Sequence, residues 1–111
     1  MDNKNWAYGI LEAEGTIWVG LHKNGRGESS LTIRLIVTTT REGITDKLKN
    51  NFGGTTSGKI LESKKTLYRW VLSGKKATIL IDGGWRYFGN GAKKQFKPYL
   101  EKYYKLRENM L

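Results

Sequence analysis

The fold is decided by residues 6–22, which read WAYGILEAEGTIWVGLH. Up to Ala13 the small and apolar residues recur at steps of three and four, the spacing of one helix face, and Gly15 provides a stop. After Gly15 the apolar residues alternate with polar and aromatic ones, which is the period of a strand with two different faces. The stretch therefore predicts a short helix that leads directly into a strand.

The rest of the chain alternates between the same two periods. The predicted elements are a turn at 24–27, a strand at 30–37, a helix at 43–52, strands at 57–63 and 66–72, and helical pieces at 77–82, 85–88 and 92–107. Pro98 is expected to kink or restart the last piece. This order predicts an α+β domain of αββαββα plan, in which helices back one face of a curved, four-stranded antiparallel sheet. The other face offers polar, basic and aromatic groups that suit a DNA groove.

The charge of the chain is large and unevenly placed. The formal net charge is +10, and residues 59–107 carry 13 basic but only 3 acidic side chains, against 7 and 6 in residues 1–58. Such a field attracts polyanions by releasing their condensed counterions. Nucleic acid is therefore the first partner to expect and an anionic membrane the second, with a merely soluble cationic surface as the alternative.

The composition argues against several kinds of site. The chain has no cysteine and a single histidine, His22, which removes thiolate zinc sites and disfavours Ser-His-Asp triads. No apolar stretch approaches the roughly 20 residues that span a bilayer, and no signal peptide is evident. We therefore expect one soluble domain over residues 1–111, without a membrane partner.

Three segments of the sequence resemble one known protein family. Residues 7–15, AYGILEAEG, resemble the signature of the LAGLIDADG homing endonucleases. Residues 68–77, YRWVLSGKKA, resemble the family's fourth strand and its turn, and residues 93–95, KKQ, resemble the opening of its late helix. The predicted order of elements is similar to the family's plan over nearly the whole chain. The resemblance implies a site-specific endonuclease that uses Mg²⁺ to cut double-stranded DNA.

The resemblance also implies an active site at the end of the first helix. Glu14 matches the family's metal-binding acid, Ala13 would add its backbone carbonyl, and Glu12 would have a lesser, structural part. The basic side chains that match positions around the scissile phosphate are Arg41, Lys93 and Lys94. The alternative is that both glutamates only solvate a helix end, although an anion at a helix C-terminus costs about 0.3–1 kcal/mol.

One signature in the chain implies that two chains share the active site. The helix face expected to make this contact carries Trp6, Gly9, Ile10 and Ala13, and its small residues allow a close approach. A homodimer predicts a palindromic or nearly palindromic target.

Two features of the sequence depart from the family pattern, and a third imitates it. Tyr8 stands where a small residue is usual, which predicts looser or altered helix pairing, and glutamate replaces aspartate at both acidic positions. Residues 79–84, ILIDGG, spell part of the signature again, but Gly84 stands in place of the acid. We interpret this second segment as a core helix followed by a break.

Outward strand positions are the candidates for reading bases. Arg34 is the strongest, since arginine grips guanine through two hydrogen bonds, whereas Trp18 has the alternative of packing on the sheet. In the third strand either Lys59 and Leu61 or Ile60 and Glu62 face outward. The positive charge of Lys59 favours the first arrangement. The full set is Trp18, His22, Asn24, Ser30, Thr32, Arg34, Lys59, Leu61 and Arg69.

Two other function classes stay open on sequence grounds. One is a catalytically inactive relative that binds DNA, or a maturase that binds intron RNA. The other is a cationic structural protein. The acid at position 14 favours the enzyme.

Overall fold

The computed structural model describes the backbone of residues 3–23, 25 and 29–110 and the side chains of 6–21, 25 and 31–108. We number the elements in chain order. They are α1 (Asn3–Glu14), β1 (Gly15–Lys23), β2 (Ser29–Thr39), α2 (Glu42–Phe52), β3 (Thr55–Ile60), β4 (Thr66–Ser73), α3 (Lys75–Gly84), a 3₁₀ turn (Trp85–Tyr87) and α4 (Asn90–Met110).

The four strands form one antiparallel sheet in the order β1-β2-β4-β3. β1 and β2 form one hairpin and β3 and β4 form a second, and the two hairpins join where β2 lies beside β4. The register aligns Trp18 with Arg34, and Arg34 in turn with Ser73. The predicted α+β class and the αββαββ order are confirmed, and α3 and α4 complete the helical layer.

The helices cover one face of this sheet and form the core with it. In β2 the alternate residues Ile33, Leu35 and Val37 are fully buried, as the period of two requires. Trp70 of β4 is also fully buried, and its indole N–H donates to the Gly53 carbonyl at 2.8 Å, so no polar group is left unpaired by its burial. The fully buried helix residues are Ala7, Leu11, Thr45, Leu48, Ala77, Ile81 and Phe96.

The ends of several elements differ from the prediction. β3 ends at Ile60 rather than at residue 63, because a tight turn follows in which the Leu61 N–H donates to the Lys65 carbonyl at 2.8 Å. Lys64 adopts a positive φ of 66° in this turn. The third helical region is also longer than predicted and begins at Lys75.

The prediction that the last helix restarts at Pro98 is wrong. α4 continues from Asn90 to Met110 with Pro98 inside it. Proline removes the hydrogen bond to the carbonyl four residues earlier, that of Lys94. Because both residues are exposed, water can satisfy that carbonyl, and the buried side of the helix, with Phe96 and Leu100, keeps the segment in place.

Tyr8 packs inside its own chain. Its ring stacks on Tyr87 with the centroids 5.7 Å apart and meets the edge of Phe88 at 5.6 Å. The ring lies directly on Gly84, where any side chain would overlap it. The unusual size of residue 8 is therefore matched by a glycine in α3, and Tyr8 does not lie on the exposed side of α1.

Candidate active site and nucleic-acid interface

Glu14 lies at the junction where α1 passes into β1 without a connecting loop. Gly15 makes this junction feasible, since a Cβ at that position would lie 2.5 Å from the Leu11 carbonyl oxygen. The carbonyl of Ala13, in the last turn, has no partner within the helix. Glu14 itself is exposed and has no hydrogen-bond or ion-pair partner among the described residues. The junction therefore presents oxygen donors to solvent at one end of the sheet.

Glu12 lies one half-turn away but has a different environment. Its carboxylate accepts a hydrogen bond from the Gly89 N–H at 2.6 Å, which links α1 to the residue that precedes α4. The contact joins residues 77 positions apart in the chain. Glu12 therefore has a structural contact that Glu14 lacks.

The three basic residues predicted near the scissile phosphate lie towards the same end of the sheet. Arg41 follows the end of β2, whose Val37 pairs with Gly15 at the start of β1, and its N–H donates to the Thr39 hydroxyl at 3.2 Å. Lys93 and Lys94 are in the first turn of α4, next to the Gly89 contact of Glu12. Arg41 and Lys94 are exposed, and Lys93 is half-buried.

The sheet surface that the helices leave uncovered is called the open face below. Its described side chains include both charged and neutral groups: Thr16, Trp18, Thr32, Arg34, Ile36, Thr38, Ser57, Lys59, Leu67 and Arg69. A shallow groove on this face runs across all four strands between Thr16 and Lys59. The open face therefore has the mixed polar and basic surface expected of a groove-binding sheet.

The register decides the orientation of the third strand. Lys59 pairs with Leu67 and Ser57 pairs with Arg69, so Lys59 shares the open face with Arg69. Ile60 pairs with Thr66 on the opposite face. Leu61 does not lie on a strand, because it begins the turn between β3 and β4; its predicted strand position is wrong.

Trp18, Arg34 and Gly20 form a compact group on the open face. The Arg34 guanidinium carbon lies 4.9 Å from the centroid of the Trp18 ring, which is 42% exposed. The ring extends along the strand over Gly20, where a Cβ would lie 2.7 Å from two ring atoms. Trp18 thus packs on the sheet and also borders the open face. Gly20 was not among the predicted site residues, although a glycine inside a strand signals close approach of another group.

Three predicted base contacts cannot be placed fully. His22 pairs with Ser30 in the β1–β2 register, but their side chains lie outside the described residues. Asn24 lies wholly outside them.

The predicted dimer face is a surface strip of α1. Gly9 and Ala13 are exposed, and a Cβ at Gly9 would have no atom within 4 Å. Trp6 and Ile10 are half-buried beside them, and the Lys47 ammonium of α2 lies 4.2 Å from the centroid of a Trp6 ring. The segment that imitates the signature belongs to α3 and contributes Leu80, Ile81 and Gly84 to the interior, in agreement with the predicted core helix. The predicted break at Gly83 and Gly84 is wrong, because α3 continues to Gly84 and the 3₁₀ turn follows directly.

The acidic groups do not form a complete metal site within the described part of one chain. There, no three histidine, cysteine, aspartate or glutamate side chains come together as a metal would require. The donors at the end of α1 are a carboxylate and a carbonyl oxygen, which are ligands of the kind that Mg²⁺ prefers. One chain thus supplies a fitting but incomplete set.

Most cations of the described chain have no acidic partner. Between residues 31 and 108 the structure shows one ion pair, from Lys97 to Glu101 at 3.9 Å within α4. The excess positive charge is therefore directed to the surroundings rather than neutralised internally. None of the helices described has both the length and the apolarity needed to cross a membrane.

The fold of this chain is that of the LAGLIDADG homing endonucleases, because solved structures of that class align with it over 98% and 99% of its length. The structures similar to this chain include homing endonucleases and bear out the resemblance in fold. No known family's sequence profile matches the chain, and no curated protein sequence matches it.

The individual similarities are as follows. The homing endonuclease I-TnaI aligns with a TM-score of 0.66 and 16% identity over 96% of this chain and 74% of its own. The LAGLIDADG homing endonuclease I-GzeII, in complex with its DNA target, aligns at 0.67 and 18% identity over 98% of this chain and 38% of its own. The archaeal intron-encoded homing endonuclease I-Vdi141I, complexed with DNA, aligns at 0.56 and 20% identity over 76% of this chain. The chain spans 54% of I-Vdi141I and 60% of I-CvuI.

Proposed function

We propose that this chain is a homodimeric, Mg²⁺-dependent endonuclease that cuts double-stranded DNA at a palindromic or nearly palindromic site. The observation that carries the proposal is the position of Glu14. Its carboxylate is exposed, lacks a protein partner among the described residues and stands at the end of the sheet where α1 passes into β1. A bound cation would give the Glu14 carboxylate the partner that it lacks among the described residues.

Two chains are needed because one supplies too few ligands. A second copy packed along the exposed strip of α1 would bring a second Glu14 and a second Ala13 carbonyl to the same place. The absence of a side chain at Gly9 lets the two helix backbones approach closely. The lengths agree with this proposal: the chain covers only 38% of I-GzeII, so that longer protein has room for a further unit of the same size.

The residues of this chain have separable parts in the proposed reaction. Glu14 and the Ala13 carbonyl hold the cation, and bound Mg²⁺ would polarise the phosphate and lower the pKa of an attacking water. Arg41, Lys93 and Lys94 stabilise the negative charge that develops on the phosphate oxygens. The open face positions the duplex, and its cations release counterions from the DNA backbone.

The test of the cleavage step is a comparison of Glu14→Gln with Glu12→Gln. Duplexes are first selected for binding from a randomised pool in EDTA and are then incubated with Mg²⁺. Because glutamine is neutral, Glu14→Gln should lose about 100-fold or more of the cleavage rate while keeping its DNA affinity. Glu12→Gln should cleave nearly as wild type, since the amide oxygen can still accept from Gly89.

The outcomes separate the competing functions. Cleavage that is unaffected by Glu14→Gln would contradict the proposed active site. Binding of selected duplexes without cleavage by wild type would identify a catalytically inactive DNA-binding protein. Preference for structured intron RNA over any duplex would identify the maturase alternative.

The dimer is tested with Gly9→Leu, using Gly91→Leu as the matched control. Both glycines lie in helices with no atom within 4 Å of an added Cβ, so neither change should unfold the monomer. Sedimentation in the presence of DNA should show two chains per duplex for wild type and Gly91→Leu, and one chain for Gly9→Leu. Equal stoichiometry for all three proteins would contradict the shared site.

A further inference from the structure

We infer that Trp18 and Gly20 position Arg34 as a guanine reader, and that this element selects a G·C pair about four base pairs outward from each cleaved phosphate. The inference rests on the proposed function and adds to it which base is chosen, where, and by which residues. Trp18 is a positioning residue in this scheme, because it acts through Arg34.

The first observation is that the Arg34 guanidinium stacks on the Trp18 ring, while its N–H groups make no ion pair with an acidic side chain in the described part of the chain. It stacks over the Trp18 ring at 4.9 Å, and its neighbours across the two adjoining strands are Trp18 and Ser73. No ion pair of Arg34 occurs among the described residues. Stacking on an aromatic face restricts the side chain without using its N–H groups, which stay available to guanine O6 and N7.

The second observation is that the Trp18 ring has room in this position because Gly20 has no side chain. The ring lies over Gly20, two residues along β1 on the same face. A Cβ at Gly20 would approach two ring atoms to 2.7 Å, so alanine would displace the ring. Gly20 thus determines indirectly where the guanidinium lies.

The contrast with Arg69 supports the assignment. Arg69 also lies on the open face, opposite Ser57, but it is exposed and stacks on no ring in the described structure. A flexible arginine of this kind pays more conformational entropy to form two directed hydrogen bonds. It therefore suits a phosphate contact better than base discrimination.

The distance along β1 gives the position of the selected base pair. Trp18 follows Glu14 by four residues, and a strand rises about 3.3 Å per residue, so the reader lies roughly 13 Å from the acid. DNA rises about 3.4 Å per base pair along its helix axis, so for a β1 that follows this axis the distance corresponds to about four pairs. The twofold symmetry repeats the requirement in the other half-site.

The experiment measures duplex binding in EDTA, so that cleavage is not required. Sites are selected from a randomised pool with wild type, and the G·C pair at the expected position is then changed to A·T. Wild type should bind the changed duplex between about 5-fold and 150-fold more weakly. Trp18→Ala and Gly20→Ala should each reduce this preference by roughly 2-fold to 30-fold, and Trp18→Phe should restore part of it.

The controls separate positioning from general damage. Gly58→Ala is the matched strand glycine, because its Cβ would make only ordinary contacts, the nearest at 3.6 Å, and it should keep the full preference. Arg69→Gln should weaken binding to both duplexes equally. An unchanged guanine preference in Trp18→Ala and Gly20→Ala would overturn the inference, as would a wild-type protein that binds selected sites without any guanine at this position. A wild type that binds no duplex at all would instead overturn the proposed function.

Discussion

The two faces of the sheet are built from the same four strands but differ in almost every physical respect. On the covered face, alternate residues such as Leu35 and Trp70 are fully buried and have no contact with water. On the open face, their sequence neighbours Arg34 and Arg69 stay in contact with solvent. Neighbouring residues of one strand therefore differ in kind: one is buried in the core and the next is at least partly exposed on the open face. Substitutions on the two faces should therefore be detected by different measurements.

The largest effect should come from the covered face, at Trp70→Ala. Removing a fully buried tryptophan leaves a cavity and an unpaired Gly53 carbonyl, which should cost about 3–5 kcal/mol of unfolding free energy. Urea denaturation followed by circular dichroism measures the loss. Trp18→Ala on the open face is the control, with an expected loss below about 1 kcal/mol. Equal losses would remove the distinction between the faces.

The next effect concerns the helices that cover the sheet, at Gly84→Ala. The added methyl group would overlap the Tyr8 ring, and such overpacking typically costs about 1–3 kcal/mol. The stability loss of the double variant Tyr8→Ala with Gly84→Ala should be smaller than the sum of the two single losses, because the added methyl group no longer overlaps a ring. Thermal unfolding of the three variants gives the coupling. Additive losses would show that the two residues do not pack as described.

The open face itself should tolerate Lys59→Ala combined with Arg69→Ala with little loss of stability. Both side chains are exposed, so the unfolding free energy should change by less than about 1 kcal/mol. If both contact phosphates, the slope of log affinity against log salt should become shallower by about 2 for each chain. An unchanged slope would place DNA away from this part of the open face.

The smallest effect belongs to the outer surface of the helices, where the Tyr104 hydroxyl donates to Asp82 at 3.1 Å. Partial burial, and then the Asp82 charge, raise the pKa of Tyr104 above its ordinary value of 10.0. The neutral hydroxyl is thus favoured in the folded state, so its contribution is complete below pH 10 and is lost as the pH rises through the raised pKa. Tyr104→Phe should be slightly less stable than wild type at pH 8, and the difference should narrow by pH 11. A constant difference would contradict this link.

The local pattern was sufficient for most of the fold. The change of period at Gly15 predicted both α1 and β1, and alternation in β4 separated Trp70 from Arg69 correctly. The local pattern gave wrong element boundaries where a turn or a contact with a distant part of the chain determines where an element ends. β3 ends early because of the hydrogen bonds around Leu61, and α4 continues through Pro98 because its other side is buried.

Single residues of the candidate site could be proposed from the sequence, but their spatial arrangement could not. Glu14 could be selected from the signature, whereas the contact of Glu12 with Gly89 joins positions too far apart in the chain for any local pattern. The pairing of Trp18 with Arg34 depends on the register of a hairpin, which a one-residue slip would abolish. Register and long-range packing are properties of the folded chain.

The direct passage from α1 into β1, without a loop, fixes the position of Glu14 relative to the side chains of β1. Because Gly15 joins the two elements directly, the spacing from Glu14 to every side chain along β1 is set by covalent geometry and works as a molecular ruler. In the proposed reaction, substitutions on β1 would change which bases are contacted without moving Glu14. One residue inserted between Glu14 and Gly15 would move every side chain of β1 by one position relative to Glu14.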